Sequence, residues 1–226
     1  MDVQRVLFRF RKEGNARFLS HHDLMRLFER ALRRAGLPVR MSEGYNPHPR
    51  FSILLALPLG VEATDEALDV QFQPPVEPAD ALARLQAEMP AGLSLPAAQA
   101  LPAGMDVRVE SVVYEADLPP GIAAEPQAVE RLLASRELVV GRTTPKGTRT
   151  IDLRPALAWM RLDGRRVAFQ LTVAPGGTPR PTEVLLALLG RDPAVSPAAL
   201  TGRLRRTNVT LAIGPRAGRR PATETP

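Results

Sequence analysis

Residues 20–38 read SHHDLMRLFERALRRAGLP and predict the most regular helix of the chain. Ser20 precedes Asp23 by three residues, an N-cap arrangement in which the serine oxygen accepts a backbone amide and the carboxylate lies at the positive end of the helix. Apolar side chains then recur on one face, at Leu24, Leu27, Phe28, Ala31, Leu32 and Ala35. Gly36 and Pro38 predict the end of the helix.

Strand patterns surround this helix. Residues 3–12 alternate between apolar and polar side chains, which predicts a half-buried strand. Residues 51–57 and 67–72 predict two more strands that pair as a hairpin, residues 78–89 a short helix and residues 93–101 a weak strand. The resulting order, strand-helix-strand-strand-helix-strand, is that of a ferredoxin-like unit.

The same order recurs in the second half. It comprises a strand at 107–116, a helix at 127–135, an extra strand at 138–142, a hairpin of 156–162 and 165–173 about Asp163-Gly164, a helix capped by Thr182 that extends to Leu189, and a strand at 205–213. We therefore expect an α+β fold of two tandem ferredoxin-like (βαββαβ) units, with mostly antiparallel sheets and helices on one face.

The domain organisation follows from this repeat. Residues 1–104 are expected to form an N-terminal unit with a histidine- and arginine-rich helix and loop, and residues 105–213 a C-terminal unit. Residues 214–226 contain too little apolar surface to fold and are expected to be a disordered tail.

Composition excludes several classes of site. The chain has no cysteine, so it cannot hold an iron-sulfur cluster, a zinc finger or a disulfide. Phosphate-binding loops, dinucleotide fingerprints and nucleophile elbows are also absent from the sequence, and no cofactor is expected. The apolar runs are too short to cross a bilayer, and the N-terminus has no leader pattern, so we expect a cytoplasmic protein without membrane contact.

Charge is distributed unevenly along the chain. Residues 1–50 carry eleven basic and five acidic side chains, residues 51–140 carry four and fourteen, and residues 141–226 carry fifteen and five. Twenty-eight of the thirty basic residues are arginine, which suits bidentate phosphate recognition and equally suits an arginine-rich codon usage. The basic ends of the chain favour binding of a polyanion only if folding brings them to one surface.

The three histidines lie between residues 21 and 48. His21 and His22 occupy the first turn of the helix, where the helix dipole keeps an imidazole neutral and basic, so either general-base chemistry or a structural role fits. The segment EGYNPHPR, residues 43–50, is fixed by prolines and carries Tyr45, Asn46, His48 and Arg50, which either present donors and a stacking ring to a ligand or form a structural turn. Adjacent histidines lack the i, i+4 spacing of a helical metal site, so no metal site is predicted.

The helix also carries a basic stripe opposite its apolar face. Its members are Arg26, Arg30, Arg33 and Arg34. Such a stripe is a track for phosphates or a solvated helix face. Other arginines and a lysine could extend it, namely Arg5, Arg9 and Arg11 on the first strand and Lys146, Arg149, Arg154, Arg203, Arg205 and Arg206 in the second half.

Four segments together resemble the radical SAM-linked protein family, an uncharacterised group found beside or fused to the C-terminus of a radical SAM protein. They are Arg17–Arg26, Arg30–Pro38, Gly44–Arg50 and Leu57–Glu62. The resemblance spans residues 2 to about 213, with later matches at Arg180-Pro181 and Arg205-Arg206-Thr207. His22 stands where the family pattern has an apolar residue, so no family role is carried over to it.

The resemblance implies partners. By gene neighbourhood it implies RNA as the substrate class, a radical SAM protein as partner and a ribonuclease of the E/G type as a further one. The tandem order and the histidine on the first helix are also similar to the repeat-processing CRISPR endoribonucleases of the RAMP class, an analogy of architecture only.

Three functions fit these observations. The first is an RNA-binding accessory protein acting with a separate radical SAM enzyme in RNA modification or processing, without catalytic residues, with Arg26, Arg30, Arg33, Arg34, Tyr45, Asn46, His48 and Arg50 contacting RNA. The second is a metal-independent endoribonuclease in which His21 or His48 removes the 2′-hydroxyl proton. The third is a protein-protein scaffold that binds no RNA.

Overall fold

A computed structural model describes residues 2–144, 147–174, 178–190 and 195–215. Ten strands and five α-helices lie within these ranges. The strands are β1 (Gln4–Lys12), β2 (Phe51–Ile53), β3 (Glu62–Phe72), β4 (Leu93–Leu101), β5 (Met105–Asp117), β6 (Val139–Thr144), β7 (Gly147–Asp152), β8 (Leu157–Asp163), β9 (Arg166–Thr172) and β10 (Leu204–Pro215). The helices are α1 (His21–Arg34), α2 (Pro78–Gln86), α3 (Pro126–Ala134), α4 (Pro181–Leu188) and α5 (Pro197–Thr201).

Eight strands form one sheet, in the order β4-β1-β3-β10-β5-β9-β8, with β2 paired to β3 beside this path. Within each half the strand order is the same: β4-β1-β3-β2 in the first and β10-β5-β9-β8 in the second. Neighbours pair antiparallel except at β3 and β10, which pair in parallel. The α+β class with a mostly antiparallel sheet is thereby confirmed, whereas the division into two ferredoxin-like units stays a prediction.

The contact between β3 and β10 joins the two halves. Arg205 pairs with Glu62 and Arg206 with Ala63, at the start of β3. Farther along β3, at residues 68–70, its partner on this edge is β2. The halves therefore share a continuous sheet through a short parallel ladder.

Two apolar clusters hold the helices to the sheet. In the first half, α1 and α2 pack on alternating side chains of β1 and β3, among them Val6, Phe8, Leu68 and Val70. In the second half, the cluster includes buried side chains of α3, α4 and α5 and of strands β5, β8, β9 and β10. A smaller cluster of Leu7, Ala67, Leu101 and Val107 brings together residues from β1, β3, β4 and β5. In β1 and β9, for example, buried apolar side chains follow the two-residue alternation that their sequence predicts.

Most predicted elements are found within a few residues of their expected bounds. Ser20 caps α1 as expected, and Gly36 adopts a left-handed φ of 61° beyond its end. Asp163-Gly164 joins β8 to β9 as predicted. The Thr182 cap is wrong, because α4 begins at Pro181 and Glu183 accepts the backbone N–H of its N-cap residue Arg180.

The second half contains two elements that the sequence patterns did not indicate. One is α5, and the other is β7, which pairs with β6 as a separate two-stranded arm. Arg142 of β6 donates to both carboxylate oxygens of Glu183 at 2.7 and 2.5 Å, so the arm is anchored to α4.

The predicted disordered tail begins at residue 214, yet Gly214 and Pro215 end β10. The rest of that tail, residues 216–226, lies outside the described residues. Within the described ranges, no helix has the length and apolar character needed to cross a membrane.

Candidate nucleic-acid interface

Three arginines of the predicted stripe lie exposed on α1. The helix buries Leu24, Phe28, Ala31 and Leu32 against the sheet, which turns Arg26, Arg30 and Arg33 outward. Within the described part of the chain, none of these three side chains makes a hydrogen bond or an ion pair. They therefore present guanidinium groups to solvent along one face of a helix of 14 residues, or about 21 Å.

Arg34, the fourth member, has a different environment. Its Nε donates to Glu88 Oε2 at 2.6 Å, and its Nη2 donates to the backbone oxygen of Glu88 at 3.2 Å. Glu88 follows α2, so Arg34 ties the two helices together. A phosphate at Arg34 would compete with this carboxylate.

The loop from Ser42 to His48 is closed by two hydrogen bonds. The Ser42 N–H donates to the backbone oxygen of His48 at 2.7 Å, and the His48 N–H donates to Ser42 Oγ at 2.8 Å. Tyr45 at its tip is 100% exposed, and Asn46, His48 and Arg50 are also exposed. Because the loop is tied at its base, it presents these groups on a defined support.

The stripe and the loop are linked through the backbone and the sheet. Beyond α1, Val39 pairs with Phe72, and the Arg40 and Arg50 backbones exchange hydrogen bonds with Gln71 of β3. Among the described residues, no side-chain hydrogen bond or ion pair joins the stripe to the loop. The two predicted RNA contacts are therefore neighbours in the fold rather than one bonded cluster.

The histidines do not converge. The His21 and His22 rings lie edge to face with centroids 6.1 Å apart at the start of α1, both exposed, whereas His48 belongs to the loop. Ser20 donates to Asp23 Oδ2 at 2.7 Å, and this hydrogen bond is the main reason that the pKa of Asp23 is lowered. Among the residues the structure describes, no group of three or more histidine, aspartate or glutamate side chains is arranged to hold a metal ion.

Two arginines proposed for a track on the first strand are neutralised within the fold. Arg5 Nη2 lies 2.6 Å from Asp69 Oδ2 and its Nη1 3.0 Å from Asp106 Oδ1, while Arg9 Nη1 lies 3.2 Å from Asp65 Oδ1. These side chains connect β1 to β3 and to the second half, so a phosphate bound at Arg5 or Arg9 would compete with these carboxylates. Lys146 lies outside the described residues.

Three segments that carry the family resemblance meet at the junction of the two halves. The Gly60 N–H donates to the backbone oxygen of Arg17 at 3.0 Å, and Arg17 Nη1 donates to the backbone oxygen of Gly202 at 3.2 Å. Glu62 accepts from the Gly14 N–H at 3.0 Å and from Arg205 Nη2 at 2.8 Å. Residues far apart in sequence thus form one surface beside the start of α1.

This junction carries two exposed apolar side chains. Phe18 is 59% exposed and Leu59 is 60% exposed, and the guanidinium carbon of Arg17 lies 4.8 Å from the centroid of the Phe18 ring. Beside them opens a polar pocket of about 360 Å³, whose charged lining residues are Glu62, Glu115, Asp117, Arg166, Arg203 and Arg205. The junction therefore combines an aromatic ring with both basic and acidic groups.

Below this surface lies a cluster of buried charges. Arg206, Glu66 and Lys12 are at most 1% exposed, with Arg206 Nε 2.7 Å from Glu66 Oε1 and Lys12 Nζ donating to the backbone oxygen of Leu19 at 2.8 Å. Burial raises the pKa of Glu66 to about 7, although Arg206 and Lys12 oppose this shift, and burial lowers the pKa of Lys12. Arg206, expected beside the last strand as a further basic group, is therefore structural.

No sequence pattern predicts a functional role for Phe18 or Leu59. Both stand within the quoted segments, at Arg17-Phe18 and Leu57–Glu62, so the resemblance contained the signal. What no pattern indicated is that these segments meet, because their contacts join residues as far apart as Glu62 and Arg205.

The comparisons with known proteins identify a family. The profile of a bacterial family, described as "Uncharacterized protein conserved in bacteria (DUF2344)", matches residues 5–182. No curated protein matches the chain. A solved structure of an unknown protein from Galdieria sulphuraria is 13% identical over 96% of this chain and 100% of that chain, with a TM-score of 0.24. These findings contain no link to radical SAM proteins or to CRISPR endoribonucleases, but the match covers most of the sequence, and the chain belongs to the DUF2344 family.

Proposed function

We propose that this chain is a cytoplasmic RNA-binding accessory protein that holds RNA along the exposed face of α1. The observation that carries the proposal is the set of three exposed arginines, Arg26, Arg30 and Arg33, without ion pairs among the described residues. By contrast, Arg5, Arg9 and other arginines of the same half are engaged with carboxylates. These three arginines can bind phosphate without losing an internal side-chain contact.

Carboxylates of the fold and phosphates of RNA compete for the guanidinium groups. An arginine already paired with a carboxylate gains little by exchanging it for a phosphate, since one charge-assisted contact replaces another. An exposed, unpaired arginine releases counterions when it binds a phosphate, which is the main source of affinity for nucleic acid backbones. The three arginines are therefore the expected phosphate contacts, and Arg34 is expected to contribute less.

The loop supplies a second set of contacts in this proposal. Tyr45 has a fully exposed ring for stacking, and Asn46, His48 and Arg50 are exposed donors on the tied loop. The stripe offers only charge, which binds phosphates of any sequence, whereas the loop offers hydrogen bonds and a ring that can contact bases. We therefore assign the affinity for RNA mainly to the stripe and the selectivity among RNAs to the loop.

The partners in this proposal come from the resemblance. A radical SAM enzyme needs a cysteine-bound cluster, and this chain has no cysteine, so that chemistry belongs to a separate polypeptide. The chain would deliver or position RNA for that enzyme, with a ribonuclease of the E/G type as a further partner in RNA modification or processing.

The test is filter binding of RNA at several salt concentrations. The variant R26A/R30A/R33A is compared with R108A/R131A/R136A, which removes the same charge from exposed arginines of the second half. We expect the first variant to bind more weakly and to reduce the slope of log affinity against log salt by up to about 2, at about 0.7 per phosphate contact. Equal losses in both variants would contradict the assignment to α1.

The same assay separates the two other functions. EDTA-resistant cleavage of the RNA that is lost in H21A or H48A would favour the endoribonuclease. Weak binding of the unaltered chain at low salt, together with capture of a protein partner after nuclease treatment, would favour the scaffold. Either result would overturn the accessory role.

A further inference from the structure

We propose that Phe18 is a stacking platform for an unpaired base and that the ligand of this chain is therefore single-stranded RNA. The proposal rests on the proposed function for RNA binding and adds to it the form of the RNA and a contact outside the stripe and the loop. It is carried by the exposure of Phe18, the support under its ring and the charges around it.

The Phe18 ring is exposed to solvent and is not packed in an apolar cluster of the described residues. Its side chain is 59% exposed, whereas Phe8, Phe10, Phe28, Phe72 and Phe169 are at most 1% exposed. Leaving a phenylalanine in water forgoes the burial that normally stabilises it. A ring placed in this way has a free π-face for a partner.

The turn that carries the ring is firmly held. Phe18 ends a 3-10 turn, Gly14–Phe18, whose Ala16 is buried. The Glu13 N–H before it donates to the backbone oxygen of Gly92 at 2.8 Å. Gly92 has a φ of +85°, and a Cβ at this position would lie 2.5 Å from the backbone oxygen of Glu13, so the turn sits directly on a glycine backbone. The ring is thus presented from a supported position, which lowers the entropic cost of binding.

Arg17 supports one side of the ring. Its guanidinium carbon lies 4.8 Å from the Phe18 centroid, and its Nη1 is held by the backbone oxygen of Gly202 at 3.2 Å. A cation over one face is a favourable contact for an aromatic ring, and it leaves the exposed part of the ring for a base. A base stacked on Phe18 would complete a layer of base, ring and guanidinium.

Basic residues adjoin the segments that hold this ring. Arg203 follows Gly202 directly, is exposed, and makes no ion pair within the described residues. The α1 stripe begins at Arg26, in the second turn of that helix and eight residues beyond Phe18. An exposed ring held next to chain segments that carry unpaired arginines matches a nucleotide strand, which alternates flat bases with phosphates, better than it matches an apolar protein surface.

Duplex RNA does not fit this contact. In a duplex the bases are stacked on each other and their faces are covered, so only an unpaired or splayed base can stack on a protein ring. The prediction is therefore a preference for single strands that depends on Phe18.

The experiment uses the full chain with a single-stranded RNA of mixed sequence, the same RNA annealed to its complement, and a copy carrying one 2-aminopurine. The variants are F18A, F18L, which keeps apolar volume without a π-face, and F18W, which keeps the π-face. Loss of one stacked base by alanine substitution corresponds to about 5- to 150-fold weaker binding. We expect this loss for F18A and F18L with the single strand, little change with the duplex, and near-normal binding for F18W.

The salt slope makes the two proposals distinguishable. Phe18 carries no charge, so F18A should bind more weakly at every salt concentration with an unchanged slope, whereas R26A/R30A/R33A should reduce the slope. Two results would overturn the stacking platform and leave the phosphate contacts of the stripe unaffected. One is RNA binding by F18L equal to that of the unaltered chain, and the other is an equal loss of affinity in F18A for the single strand and the duplex. An unaltered chain that binds no RNA would overturn both proposals.

Discussion

At the residue scale, neighbouring arginines in one strand have opposite environments. Arg205 is half exposed and pairs with Glu62, while Arg206 is fully buried beside Glu66 and has its guanidinium carbon 5.7 Å from the centroid of the Tyr114 ring. Sequence alone assigns both to a basic run. Strand alternation separates them, because successive side chains point to opposite faces of a sheet. Which of the two faces the core is decided by the β3–β10 pairing.

Substitution of the two arginines tests this difference. Removing Arg206 leaves Glu66 buried without the guanidinium that pairs with it, so R206A is expected to lower the free energy of unfolding by about 3–5 kcal/mol. R205A breaks a partly exposed ion pair and is expected to cost about 0–1 kcal/mol. Urea unfolding followed by circular dichroism measures both values, and similar costs for the two variants would contradict the assigned burial.

The raised pKa of Glu66 predicts a pH dependence of stability. Burial raises this pKa from 4.5 to about 7, against the opposing charges of Arg206 and Lys12. The folded chain thus retains a proton that the unfolded chain loses near its ordinary pKa. The contribution of Glu66 to the free energy of unfolding should therefore fall as the pH rises from about 4.5 to about 7, by at most about 1.4 kcal/mol per pH unit.

The E66Q variant isolates this contribution, since it lacks the titrating group. We expect the stability of the unaltered chain minus that of E66Q to decrease across this pH range and to be flat above it. A difference that rises with pH would show that the ionised carboxylate, paired with Arg206, is the favoured form.

At the element scale, α1 combines a buried face with a binding face, and its bounds follow from local signals. The N-cap, the apolar period and the C-terminal glycine all act within a few residues, so the helix could be predicted closely. Residues 51–57 were expected as a longer strand, and only Phe51–Ile53 pairs with β3. Arm strand β7 was missed because its residues are mostly exposed and carry little apolar alternation.

The cap of α1 provides a test at this scale. Ser20 Oγ accepts the Asp23 N–H at 3.1 Å, so S20A is expected to lower the free energy of unfolding by about 1 kcal/mol. Ser52 lies exposed on β2, and S52A should change it by less than about 0.5 kcal/mol. Chemical denaturation of the two variants compares them directly. A cost in S52A as large as in S20A would remove the cap as the cause.

At the scale of the whole molecule, the shared sheet couples the halves. The β3–β10 ladder, the Arg5–Asp106 ion pair and the buried Glu66–Arg206 pair all cross the expected boundary near residue 104. Each half would expose charged or apolar side chains if separated from the other. The coupling therefore favours a single folding unit over two independent domains.

Unfolding by two probes tests this coupling. Trp159 of β8 is the one tryptophan of the chain and reports on the second half, whereas far-UV circular dichroism reports on helices of both halves. We expect the fluorescence and circular dichroism transitions in urea to coincide. Two separated transitions would show that the halves unfold independently and that the junction contributes little.

The sequence by itself determined the α+β class, most of the helices and strands, and the exposed arginines of α1, because caps, turns and apolar periods act over short stretches of chain. Only the tertiary structure decided that Arg5 and Arg9 are neutralised, that Arg206 is buried and that Phe18 stands exposed against Arg17. These outcomes depend on strands that pair across long sequence separations, such as Glu62 with Arg205. No local pattern specifies which face such a pairing will bury, so the junction emerged only from the fold.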